Sequence, residues 1–175
     1  AGQDIGIYFD ISTDVGDFNV SINHSETTEF TQKPTNAYQA LVDAQESGVI
    51  PFDITFAGFG NLAGLDGNYV EKSSVKFNYR VGDLGVQLSG LRKGDFYQSS
   101  ETRSDGTRYV IPSMTTYNAS VYYWFNIGDQ KARVKFAVKN LEDERAPLAD
   151  RFYGFFADAH QDYGRNFYLD IKVGF

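Results

Sequence analysis

Seven stretches of this chain alternate apolar and polar residues with a period of two. Ile5, Ile7, Phe9 and Ile11 alternate with Asp4, Gly6, Tyr8 and Asp10. Phe18, Val20 and Ile22 follow the same rule, as do Val75, Phe77, Tyr79 and Val81, then Leu84, Val86 and Leu88. Tyr117, Ala119, Val121, Tyr123 and Phe125 form the fifth set, and Ala132, Val134, Phe136 and Val138 the sixth. Phe167, Leu169, Ile171, Val173 and Phe175 form the last. Successive side chains of a strand point to opposite sides, so each stretch is a ribbon with one apolar and one polar face.

The connections carry further information. Short ones fall at 12–16, 80–83 and 127–130, each with Gly and Asp, the residues of tight hairpin turns. Long ones fall at about 31–67, 99–112 and 141–163. Short and long strictly alternate. In an up-and-down meander this puts every tight turn at one end and every long loop at the other, the asymmetry of transmembrane β-barrels. Phe52–Ala57 could form an eighth strand; it would break the parity and is placed inside the first long loop. That loop is also expected to hold a short helix near Asn36–Ser47, with Tyr38, Leu41, Val42 and Gln45 on one face and Gly48 at the stop.

Alternation alone also fits a soluble β-sandwich. Three features favour a membrane wall. Segments 72–81 and 114–127 reach or exceed the ~9–11 residues of a tilted spanning strand. Aromatics, 16% of the chain, gather near strand ends: Phe9, Phe18, Tyr79, Phe125 and Phe175 at the short-turn end, Tyr69, Phe96, Tyr97 and Tyr117 at the other. The polar faces carry full charges, among them Asp10, Lys76, Arg80, Arg133, Lys135, Asp170 and Lys172, which must meet water. A sheet in lipid has to close, and seven strands fall short of the ~8 of the smallest usual single-chain barrel. The chain is therefore expected to be a fragment of a larger barrel, or to be completed by a partner.

With 175 residues, no Cys and a net charge of −7, the chain offers no thiolate chemistry and is not a general nucleic-acid binder. No apolar run approaches the ~18–20 residues of a membrane helix. No signal peptide opens it, which reads as a mature, cut or cytoplasmic chain.

The C-terminal residues resemble a known family. Val134–Glu144, ending in Asn140-Leu141-Glu142-Asp143, looks like the penultimate strand and "N-L-x-D" exit of TonB-dependent outer-membrane receptors. Tyr163–Phe175, with Gly164-Arg165-Asn166-Phe167-Tyr168 and a terminal aromatic, is similar to their last strand, and Ala146–Asp150 looks like a sub-group of them. These motifs cover about the last 60 residues. The resemblance implies an all-β fold: an antiparallel up-and-down transmembrane β-barrel segment, the last seven of 22 strands, with long extracellular loops. It implies residence in the outer membrane of a Gram-negative cell. The whole protein would take up a scarce bulky nutrient, such as a siderophore, vitamin or glycan, driven by TonB. The chain departs from the family in having no plug domain and no TonB box, so 1–175 would be the C-terminal barrel portion only. Implied partners are outer-membrane lipid, the rest of the barrel and the plug, the inner-membrane TonB complex through that plug, and a small-molecule or glycan ligand. A last strand with Phe167, Leu169, Ile171, Val173 and Phe175 on one face would also be the signal for the barrel-assembly machinery.

No enzyme, cofactor or metal site is expected. His24 is expected at a surface or lumen position. His160, in Asp158-Ala159-His160-Gln161-Asp162, could touch a metal or a metal chelate, but a solvated loop is the expectation. Gly58-Phe59-Gly60-Asn61-Leu62-Ala63-Gly64 lacks the Lys-Ser/Thr of a phosphate loop. Asn19-Val20-Ser21 and Asn118-Ala119-Ser120 match a glycosylation pattern but lie in strands. Glu142-Asp143-Glu144-Arg145 reads as a solvated turn that could bind divalent cations. Ligand contacts are expected on the long loops, at Arg103, Arg108, Tyr109, Arg151, Tyr153 and His160, with Phe155 and Phe156 beside them, a mix of cations and stacking surfaces. Two other classes remain open: a small structural or adhesive outer-membrane barrel, with Ile7 beside Ile171, and a soluble β-sandwich binding module, with Phe136, Leu169 and Val173 beneath a second sheet.

Overall fold

The computed structural model describes residues 1–51 and 58–174. In chain order its elements are β1 (Gly2–Thr13), β2 (Gly16–Thr27), β3 (Thr31–Gln32), α1 (Asn36–Glu46), β4 (Gly60–Asn61), β5 (Glu71–Val81), β6 (Leu84–Lys93), β7 (Phe96–Thr102), β8 (Arg108–Ile111), β9 (Met114–Ile127), β10 (Gln130–Lys139) and β11 (Asn166–Val173). Seven form one antiparallel sheet in the order β1-β2-β5-β6-β9-β10-β11, while β3 pairs with β4 and β7 with β8. The chain is thus predominantly antiparallel β with one short helix.

All seven segments of period-two sequence are strands of the main sheet. The register brings their apolar positions into rows. Ile11, Phe18, Tyr79, Val86, Val121, Phe136 and Leu169 succeed one another across all seven strands. The neighbouring row is Phe9, Val20, Phe77, Leu88, Ala119, Val138 and Phe167. A slip of one residue in any pairing would put an apolar side chain among polar ones, so this pattern fixes the register. No second layer covers the apolar face among the described residues: Ile11 is 53% exposed, Leu169 68% and Ile171 65%. The sandwich expectation, with Phe136, Leu169 and Val173 under a facing sheet, is therefore not met. Nor does Ile7 lie beside Ile171. Among the described residues β1 pairs only with β2 and β11 only with β10, so the sheet has two open borders and does not close.

The sheet is staggered. The first tight turn, at the pair Thr13 and Gly16, lies two rows beyond Ile11; the third, at Ile127 and Gln130, lies six rows beyond Val121. At the opposite end β1 reaches nine rows from Ile11 and β10 three from Phe136. A shift of four residues over the four steps between those turns, or of six over the five steps from β1 to β10, at ~3.3 Å per residue and ~4.8 Å per step, inclines the strands by roughly 35–40° to the band they form.

The three short connections are two-residue turns. Gly82 and Gly128 occupy the first central positions with φ of 56° and 59°, and no positive φ follows at Asp83 or Asp129. That is the arrangement of a type II′ turn, whose twist matches the strands it joins. At the first turn the Tyr79 hydroxyl donates to the Val15 carbonyl at 2.6 Å, and the Tyr79 ring stacks on Phe18 at 4.7 Å.

The long connections all emerge at the other end. The expected helix is present as α1, stopped at Ser47 and followed by Gly48 at φ 77°. None of its residues is fully buried. The expected eighth strand at 52–57 lies outside the described residues, as does Phe175. The 99–112 connection is not plain loop: it holds the end of β7 and all of β8. Phe96, expected in an aromatic band, is 1% exposed, because β7 turns it into a small core between loops. That core, of Phe96, Ile111, Phe156 and Ala159 with Tyr69, Tyr109 and Ala149 against it, is the hydrophobic cluster of the described residues.

Candidate functional site

Two regions carry the polar chemistry: the cap made by the long loops, and the polar face of the sheet below it. The cap is tied across distant segments. Gln98, fully buried, uses both ends of its amide on one backbone unit, donating to the Asp150 carbonyl at 2.9 Å and accepting from the Asp150 amide at 3.0 Å. Asp66, at φ 47°, accepts from the Ser99 amide and hydroxyl at 3.0 and 2.5 Å. The Ala159 carbonyl accepts from the Tyr69 hydroxyl and, at 2.5 Å, from the Lys93 ammonium. Burial raises the Tyr69 hydroxyl above the ordinary tyrosine pKa.

The Asn140–Arg145 turn is closed by its own side chains. Asn140, at φ 55°, donates to the Glu144 carbonyl at 2.8 Å and accepts from the Glu144 amide at 2.9 Å. Arg145 grips Asp162 through two guanidinium nitrogens, and the Ala146 amide adds a third bond at 2.8 Å. The Arg145 hydrogen bond, then the Ala146 one, hold the Asp162 carboxyl down at about 2.

The sequence-predicted contact residues fall into three places. Arg103, Arg108 and Tyr109 share the β7–β8 hairpin; Arg103 lies 5.9 Å from the Tyr109 ring and Arg108 5.9 Å from Tyr97. Tyr97, Arg103 and Arg108 border an open recess of about 500 Å³. Arg151 sits 4.2 Å over Phe156 on the last loop, where Tyr153 packs edge-on to Phe152 at 5.1 Å and Phe155 lies beyond. His160 stands apart from both groups. It is 1% exposed, stacked on Phe96 at 5.8 Å, and neither ring nitrogen has a partner. Burial, then the nearby Lys93 ammonium, push its pKa down to about 4, so the ring is neutral at pH 7. It packs inside the cap and lines no surface. Among the described residues no three His, Cys, Asp or Glu side chains converge as a metal site. His24 pairs with the Ser73 hydroxyl on the adjacent strand at 2.8 Å.

The polar face was less legible. On the four central strands β5, β6, β9 and β10 it carries Lys72, Lys76, Arg80, Lys93, Lys131, Arg133, Lys135 and Lys139. These are half of the 16 Lys and Arg in the chain, and the same face of those strands has no Asp or Glu. Register sets Lys72 directly opposite Lys93. In place of carboxylates these cations meet rings: Lys131 and Arg133 each lie 5.5 Å from the Trp124 ring, and Lys139 4.8 Å from Tyr168. Asp170 of β11 supplies one acid, bonded to Arg133 at 2.7 Å. Under the returning last loop the face hollows into a recess of about 390 Å³ between Lys93, Lys139, Asn118, Gln161, Tyr163 and Tyr168. A smaller recess of about 200 Å³ continues along the face, sharing Asn118 and Lys139 and adding Lys135. Each lysine was visible in the sequence, alternating with apolar residues; only the register shows that the acids of this face, Asp17 opposite Arg80 and Asp170 opposite Lys135 among them, come from the flanking strands.

Comparison with family models, with curated proteins and with solved structures finds no match for this chain.

Proposed function

We propose that the chain is part of the wall of a transmembrane β-barrel in a Gram-negative outer membrane, the C-terminal portion of a TonB-dependent receptor that takes up a scarce bulky nutrient. The observation that carries this is the uncovered apolar face running unbroken across seven strands. Side chains of this size gain about 1.5–3 kcal/mol when fully buried. Roughly sixteen of them on this face are large and half exposed, which at ~1 kcal/mol each leaves about 15 kcal/mol unrealised in water, as much as the whole stability of an ordinary domain. A hydrocarbon surround realises it; a monomer in water does not.

Four further features support the same reading. The incline of roughly 35–40° falls within the ~35–45° of membrane barrel strands. The two open borders are edges that lipid does not tolerate, so further strands must pair with them. Tight turns at one end and long, internally packed loops at the other match a periplasmic and an extracellular side. The last strand, with Phe167, Leu169 and Ile171 exposed on one face, fits the assembly signal. Plug, TonB contact and nutrient uptake enter through the family resemblance alone.

The test is the full-length protein expressed with an epitope inserted at 103–107. It is expected to stay in the membrane fraction after alkaline carbonate washing and to display the epitope on intact cells. Release by carbonate, or an epitope reached only after the outer membrane is broken, would overturn the proposal.

A further inference from the structure

The polar face carries more positive charge than its own acids neutralise. In a chain of net charge −7, the centre of one sheet face gathers eight cations and no carboxylate. Lys72 and Lys93 are directly opposed, an arrangement that destabilises a sheet. Acids of the flanking strands reach three of the eight cations: Asp170 is bonded to Arg133 and lies opposite Lys135, and Asp17 lies opposite Arg80; Lys72, Lys76, Lys93, Lys131 and Lys139 have no acid opposite them in the register. Such segregation makes sense if the missing negative charge arrives from outside.

We propose that the recess beneath the last loop binds a small organic anion with two or more carboxylate or phosphate groups, and that Lys76 extends the same positive field along the face. The volume of about 390 Å³ falls in the range of ligand sites, ~300–1,000 Å³. Lys93 donates to the Ala159 carbonyl and lies 5.6 Å from the Tyr69 ring, and it pairs with no acid among the described residues. Lys139 lies on the Tyr168 ring and has no acidic partner among the described residues. Tyr163, Tyr168 and the amides of Asn118 and Gln161 complete a wall that can hydrogen-bond oxygens and cover a ligand's carbon skeleton. Charge-assisted bonds from two ammonium groups in one recess select multivalent anions over neutral sugars. The inference deepens the function proposed above by naming the ligand chemistry of the same polar face.

The experiment titrates the full-length protein, purified in detergent, with citrate, with pyrophosphate and with glucose in separate calorimetric runs at low ionic strength. One of the two anions is expected to bind and glucose is not; which anion binds separates the carboxylate from the phosphate source. The double variant K93Q/K139Q is expected to weaken that binding by about tenfold or more, with K33Q, on an exposed loop, unchanged. Equal affinity in the double variant and the parent, or binding of neither anion, would overturn the inference. If the double variant does not assemble, reductive methylation of the parent decides. The bound anion should slow modification of Lys93 and Lys139 and not of Lys33, and equal rates would refute the site. A protein that resists carbonate but binds neither anion removes this inference alone; one that binds the anion but leaves the membrane removes the membrane proposal alone.

Discussion

Val134→Arg separates a lipid-facing strand from a water-facing one. Val134 lies near the centre of β10, on the apolar face between Tyr123 and Ile171. Four or five residues separate it from either end of the strand. At ~3.3 Å per residue that is about 13–17 Å, farther than an arginine side chain can carry its charge. At the midplane of a membrane barrel a lipid-facing Arg costs about 2–4 kcal/mol. On a water-exposed sheet the same change stays within about 0.5 kcal/mol. The two outcomes differ by roughly 10- to 1,000-fold in the unfolding equilibrium. Reversible urea unfolding of the full-length protein in lipid vesicles measures this, with K135Q as the control one residue along. The control sits on the opposite face and is expected to change stability by less than about 0.5 kcal/mol. A V134R cost below about 0.5 kcal/mol, or a control as damaging as V134R, would refute the assignment of faces.

Other expected outcomes follow from particular contacts. Gly85 lies opposite Tyr122, whose ring fills the space a methyl group would need; G85A should cost about 1–3 kcal/mol in the same assay and much less in the Y122A background. F96A removes the centre of the cap core and should cost about 3–5 kcal/mol there; hydrogen exchange should rise at 96–111 and 156–160 while β1 and β2 stay protected. His160 is held neutral in the folded cap, with a pKa of about 4 against 6.5 when unfolded. The unfolded state therefore binds more protons between those values, so cap stability is fully present above pH 6.5 and falls as pH drops toward 4. In H160L that pH dependence of cap exchange should vanish.

The seven main strands were legible because each has one uniformly apolar side, a local pattern that needs no knowledge of the partner strand. The tight turns were legible through Gly82-Asp83 and Gly128-Asp129, and α1 through the spacing of Tyr38, Leu41 and Val42 and the stop at Gly48. The β7–β8 hairpin was not. Its sequence Gln98-Ser99-Ser100-Glu101-Thr102 is polar, and its strand form depends on Phe96 and Gln98 packing against Phe156 and Asp150, more than fifty residues later. His160 was misjudged for the same reason: Asp158 and Asp162 beside it in sequence suggest a wet loop, whereas Phe96 and Tyr69 come from other connections to enclose it. The cationic face needed the register, because a lysine every second residue looks ordinary until four strands are laid side by side.

On the membrane proposal, the two sides of this sheet face different solvents. The chain has no Cys, so single cysteines placed in turn at positions 133 to 138 of the full-length protein can each be challenged in intact membranes with a charged maleimide and with a lipid-soluble one. Positions 133, 135 and 137 should react with the charged reagent, and 134, 136 and 138 only with the lipid-soluble one. Equal reaction of all six with the charged reagent would mean that both sides face water and that the sheet is no membrane wall.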